Sequence, residues 1–133
     1  MPKPKAPQLK AWSLSRLNQY EECPFKCFLR NIQRIPVKEG PPLKRGKRVH
    51  KECEMYLRDS GDITPDMETF TEEFEGLKSE PSLMIEQQWA YDNRWRALDA
   101  DEGWYDDRAW FRMVSDAVYF PADSTKGHII DFK

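Results

Sequence analysis

The chain has 133 residues and a mass of 15.8 kDa, enough for one ordinary domain with a core of its own and too little for two. A hydrophobic fraction of 39% and a mean hydropathy of -0.84 sit at the polar end of globular proteins, yet five Trp, five Tyr and seven Phe exclude wholesale disorder. No apolar run approaches the roughly 20 residues of a membrane helix, the Lys/Pro-rich start lacks the apolar stretch of a signal peptide, and three cysteines do not make a secreted disulfide framework. The expected setting is therefore a reducing, cytoplasmic one. The formal charge of -2 conceals a division: residues 1–50 carry twelve Lys/Arg against three Asp/Glu, and residues 51–133 carry nine against twenty. A basic third of this kind suits contact with nucleic acid, or equally a solvated helical face with a mobile arm.

In chain order, residues 1–12 read as a flexible basic arm. Ser13 or Ser15 caps a short helix through Leu14, Leu17 and Tyr20. Pro24 opens a second helix, with Phe25, Phe28, Leu29 and Ile32 spaced along one face. The Pro-rich stretch 36–42 is expected to be a loop, Leu43 to Arg58 a charged helix, and Gly61 its stop. Thr64 and Pro65 read as the N-cap and first residue of a third helical segment running through Met67, Phe70, Phe74 and Leu77.

Beyond Pro81 the composition becomes aromatic and β-branched. Strands are expected at 83–91, 109–120 and 128–133, with 121–127 as a turn, so helices precede an antiparallel meander in an α/β (α+β) mixture. The long strand is apolar on both faces, as in a strand covered on both sides. The chain stops at Lys133 directly after an apolar strand, which reads as a fragment of a longer domain.

The polar exceptions within the meander carry the chemistry. Asp131 and Lys133 lie two apart and share a face. If the turn is centred between Asp123 and Ser124, Asp116 falls opposite Asp131, and the two side chains come within about 5 Å. Two buried carboxylates at that distance require either a shared proton or a cation between them. Mg²⁺, which takes one or two carboxylates plus water and a substrate phosphate, resolves the conflict. Lys133 could then orient or deprotonate a water, or neutralise charge developing on the phosphate. His50 and Glu54 lie four apart on a helix, where His50 could complete a metal site. Glu86, an acidic residue in an apolar strand, either faces the same site or lies on the exposed face.

The pattern Ser13-x-Ser15-x4-Tyr20-x2-Cys23-Pro24-x-Lys26-x-Phe28, then Arg45-Gly46-x3-His50-x3-Glu54, then Asp116, then Ile129-Ile130-Asp131-Phe132-Lys133 resembles the RecB-like branch, which includes CRISPR-associated RecB-like exonucleases, of the PD-(D/E)XK nuclease superfamily. The resemblance runs from residue 13 to the last residue and implies a restriction-endonuclease-like core, over 13–133 and truncated at the C-terminus. It also implies that His50, Asp116, Asp131 and the Phe132 backbone carbonyl hold one or two Mg²⁺ or Mn²⁺, with Glu86 a further candidate. Asp116, Asp131 and Lys133 would be the catalytic residues. Tyr20, Lys26, Arg45, Gly46 and Glu54 would be DNA-proximal or structural. Some relatives bind a 4Fe-4S cluster through the Cys-Pro cysteine and three more near the C-terminus. Cys23 matches the first, while Cys27 and Cys53 sit on apolar helical stripes and read as core.

Two features depart from the family pattern. Arg112 and Ser115 stand where a Gly is common before the strand Asp, and the Thr-Gly turn, strand and helix that usually follow the lysine are not in this sequence. The resemblance implies a metal-dependent DNA nuclease, an exonuclease in recombination, repair, CRISPR adaptation or phage DNA processing, in a bacterial or phage-infected cell, with DNA and a helicase or recombination protein as partners. The alternative is a non-catalytic DNA-binding or scaffold module that keeps the fold.

Overall fold

The computed structural model describes residues 8–99 and 101–132, and Lys133 lies outside them. Four helices precede a three-stranded sheet of order β1-β2-β3, an α+β arrangement. The chain forms two compact units, one from residues up to 38 together with 88–113, the other from 39–87 together with 114 onward. The two long strands, β1 (Met84–Tyr91) and β2 (Phe111–Tyr119), each contribute residues to both.

In the first unit, α1 (Leu14–Glu22) begins where the Ser13 hydroxyl accepts the backbone N–H of Arg16 at 3.4 Å. Cys23, in extended conformation, separates it from α2 (Pro24–Asn31), where Pro24 sits at the first position because its missing N–H is one the helix leaves unpaired anyway. Cys27 is buried between the helices and its thiol donates to the carbonyl of Arg16. Ahead of α1, Ala11 is buried and Trp12 forms a parallel bridge with Phe111. The end of the segment expected as a mobile arm is thus packed at residues 11 and 12. The excursion after β1 is tied down by Asp92, whose carboxylate accepts the N–H groups of Arg94 and Arg96 and the Arg96 guanidinium at 2.8–3.0 Å.

The second unit is built on α3 (Pro41–Leu57), which starts two residues earlier than expected. Pro41 and Pro42 fit its first turn, where proline costs no hydrogen bond. The helix is stopped by Asp59, not Gly61. Asp59 has φ 60° and closes the end, with its own N–H to Tyr56 and the Ser60 N–H to Met55. Thr64 does not cap a helix: its hydroxyl donates to Glu52 at 2.9 Å, and its carbonyl accepts the Met67 N–H. A 3₁₀ turn over Glu68–Phe70 follows, and α4 runs only over Thr71–Lys78. Tertiary bonding of Thr64 to α3 has displaced the helix start by six residues; Met67, Phe74 and Leu77 still reach the core, while Phe70 of the same expected stripe stays exposed.

That core joins Cys53, Tyr56 and Leu57 of α3 to Met67, Phe74 and the fully buried Ala117 of β2, with Phe132 packed against it. Each large side chain removed from water contributes about 1.5–3 kcal/mol. The strand β3 (His128–Ile130) pairs antiparallel with β2 in the register Ala117↔Ile130, Val118↔Ile129 and Tyr119↔His128. This constant sum of 247 is the one that a turn centred between Asp123 and Ser124 dictates. The ladder ends at Ile130, short of the expected 133. The turn closes tightly enough that a Cβ on Gly127 would strike the Phe120 ring. β2 is less enclosed than expected, since Val114 is half exposed.

Candidate metal centre

Three side chains of the second unit converge. His50 rides on α3 one residue from Val49 and three from the buried Cys53, so the helix face that enters the core carries the imidazole to its margin. Its Nε2 lies 2.6 Å from Glu86 Oε1 of β1, and its Nδ1 lies 3.7 Å from Asp116 Oδ2 of β2. One ligand-capable atom from each of His50, Glu86 and Asp116 falls within 4.8 Å of the others. Among the described residues this is the grouping of three or more metal-ligating side chains that forms.

Asp116 is the most constrained of the three. The backbone N–H of Phe132 donates to its Oδ2 at 2.7 Å. Continuing the β2–β3 register places Asp131 across from it, with its carboxyl close enough to act on that of Asp116. Burial pushes the Asp116 carboxyl above its ordinary range, and Asp131 adds to the rise, while the Phe132 N–H and His50 act in the opposite direction. Two carboxyl groups thus meet where burial disfavours their charged forms, the situation a cation relieves.

Two further features orient the site. The Phe132 ring stands edge-on to the His50 imidazole, with centroids 5.8 Å apart, and rests on Phe74 at 5.7 Å. Glu86 has φ 52°, in the left-handed region that non-glycine residues avoid, although it lies within a strand. Such backbone strain costs on the order of 1–2 kcal/mol, and it is found where a strand re-aims a side chain. Here the re-aimed side chain is the one that meets His50.

The donor set suits a hard divalent ion: two carboxylates, a third carboxylate adjoining and one imidazole. The structure brings His50, Asp116 and Glu86 together and sets Asp131 against Asp116. Glu86, a subsidiary candidate from sequence, lies closer to His50 than Asp116 does. Phe132 enters through its N–H, a role that no sequence signal announces. Lys133 lies outside the described residues.

Other sequence candidates stand elsewhere. Arg45 pairs with Asp66 at 2.5 Å, an ion pair shared with Arg48, and Glu54 is taken up by Lys51 and Arg58. A Cβ on Gly46 would meet nothing within 4 Å, so packing does not demand glycine there. In the first unit Tyr20 is half exposed beside Trp12, and Lys26 pairs with Glu22. Cys23 is partly exposed, while Cys27 and Cys53 are buried as expected, all three with free thiols, and among the described residues no cysteines gather into a cluster-binding group.

The family model of the PD-(D/E)XK nuclease superfamily matches residues 11–126, a span that includes His50, Glu86 and Asp116 and ends before Asp131. No curated protein and no solved structure matches the chain.

Proposed function

Because the chain belongs to the PD-(D/E)XK nuclease superfamily, we propose that it serves as a metal-dependent deoxyribonuclease of the RecB-like branch, acting as an exonuclease in recombination, repair, or phage or CRISPR DNA processing. The convergence of His50, Glu86 and Asp116 within 4.8 Å is the observation that carries this reading. Those residues, with Asp131 and the Phe132 carbonyl, would hold one or two Mg²⁺ or Mn²⁺. Such an ion supplies Lewis acidity toward a scissile phosphate and toward the attacking water.

The chain's own residues do the rest. The Phe132 N–H and the core beneath it fix the Asp116 carboxylate, and Phe132 and Glu86 set the plane and position of the imidazole. Lys133, by its place in the D-x-K pattern, orients the attacking water or offsets the charge that develops on the phosphate. The attacking water gives up a proton to solvent as its oxygen forms the new P–O bond, and the bridging P–O bond breaks as the leaving oxygen takes up a proton from solvent. The Lys/Arg excess of residues 1–50 contacts the DNA backbone. A helicase or recombination protein is the expected partner.

The test is cleavage of linear DNA with and without Mg²⁺ or Mn²⁺, alongside calorimetric titration of the ion. Asp116→Ala and Asp131→Ala should lose both ion binding and cleavage. Lys133→Ala should keep the ion and lose the rate. A wild-type protein that binds no divalent ion, or an Asp116→Ala protein that cuts at the wild-type rate, would overturn the reading.

A further inference from the structure

We propose that an aromatic pocket in the first unit binds an unpaired nucleobase of a single DNA strand. The pocket, of about 450 Å³, is walled by Trp12, Tyr20, Phe28 and Trp110, with Lys10 at its lining and Cys27 beneath. Tyr20 and Trp110 remain 48% and 41% exposed, so ring surface faces the opening. The rings are held before any ligand arrives. The Trp12 main chain is pinned on both sides, its backbone N–H donating to the Trp110 carbonyl at 2.7 Å and its carbonyl accepting the Arg112 backbone N–H at 2.8 Å. Tyr20 stands edge-on to Trp12 at 5.8 Å, and Trp110 is braced edge-on by Trp95 at 5.3 Å. Rigid rings with open faces bind bases at little entropic cost.

Charge selects nucleic acid over an apolar protein segment. Over residues 1–38 and 88–113 the first unit carries twelve Lys/Arg against eight Asp/Glu. Lys10 is only loosely engaged, 3.3 Å from the Tyr105 carbonyl and 3.7 Å from a fully exposed Asp107, and can exchange them for a phosphate. The larger cavity of the second unit, about 600 Å³, is bordered instead by Glu73 and Glu80, which repel a phosphate chain. A base within a duplex has both faces covered by its neighbours and cannot enter between aromatic walls, whereas a splayed single strand presents a free face.

The identity of the strand as DNA rests on the proposed nuclease function; the pocket itself can be tested without cleavage. Binding of a fluorescent oligothymidylate and of a blunt hairpin duplex would be measured by anisotropy in EDTA with the full chain. Tyr20→Leu and Trp110→Leu should weaken the single strand about five- to hundredfold, the range that loss of one base–aromatic stack produces, and shift the duplex less than about twofold. Tyr20→Phe, which keeps the ring, should bind as the wild type does, and tryptophan fluorescence of the wild type should be quenched by the single strand alone. Unchanged single-strand affinity in both Leu variants, or equal losses for the two DNA forms, overturns the proposal, as does binding without quenching. A wild-type protein that shows pocket-dependent binding but never cuts DNA with Mg²⁺ or Mn²⁺ added would count against the nuclease reading and leave the pocket standing.

Discussion

The turn carboxylates of the first unit and Asp116 of the second are handled in opposite ways. In the first, Asp92, Asp99 and Asp106 sit in turns and accept backbone N–H groups, with Arg96 and Arg108 adding charge at Asp92 and Asp106, so all three titrate below the ordinary range. Asp106 is held down to about 2 by Arg108 and its backbone N–H. In the second, Asp66 and Glu54 are likewise satisfied by Arg45, Arg48, Lys51 and Arg58. Asp116 is the exception: burial raises it, a second carboxyl adjoins it, and His50 is its neighbour of opposite charge when protonated. Carboxylates that shape a fold are given donors until the charged form is comfortable. One that is buried against another carboxylate is poised for something the protein itself does not supply.

The strongest way to break this contrast is to remove one carboxylate of each kind. Asp116→Ala should lower metal-dependent cleavage on the order of a thousandfold while leaving the metal-free melting temperature unchanged or higher. Asp92→Ala should do the reverse, lowering the melting temperature by loosening the turn after β1 while cleavage per folded molecule stays near wild type. Differential scanning calorimetry together with a cleavage assay separates the two.

Next in size is the support beneath the site. Phe74 is buried and carries Phe132, which borders His50. Phe74→Ala should cost about 3–5 kcal/mol in urea denaturation, from lost burial and the cavity left behind. Phe74→Leu should cost less yet still weaken Mn²⁺ binding about tenfold, because Phe132 and the imidazole lose their fixed positions.

The pH dependence sharpens the contrast further, since the signs differ. Asp106 has a folded pKa of about 2 against an ordinary value of 3.8, so the stability it contributes is present above pH 3.8 and lost as pH falls toward 2. Asp116 is raised above 3.8, so the folded state holds the extra proton. Its contribution is present at low pH and is lost as pH rises from 3.8 through the raised value. In metal-free denaturation followed between pH 2 and 7, Asp106→Asn should flatten the acid limb and Asp116→Asn the limb above pH 3.8. Added Mg²⁺ should flatten the second limb and leave the first unchanged.

The smallest effect is expected at the end of α3. Asp59 pays for its left-handed backbone without a glycine's freedom, while making one exposed ion pair with Lys78 at 2.7 Å. Asp59→Gly should raise stability by about 0.5 kcal/mol, relief of strain slightly exceeding the loss of a surface pair. A thermal melt that moves downward would show the pair to be the larger effect.

The sequence by itself determined what depends on neighbours along the chain. A serine cap at 13 or 15, Pro24 as a helix start, the helical spacing that sends Phe74 and Leu77 inward, and the β2–β3 register are all set by backbone geometry over a few residues or by the centre of one turn. Because that register is arithmetic, the meeting of Asp116 and Asp131 was legible as well. Tertiary structure alone decided the rest. Thr64 bonds to Glu52 instead of capping a helix, and Asp59 rather than Gly61 turns the chain. Glu86 leaves normal strand geometry to meet a histidine 36 residues away. Trp12 and Trp110, 98 positions apart, come to wall one pocket. Pairings at such separations are selected by how whole helices and strands pack, and no local period in the chain encodes them.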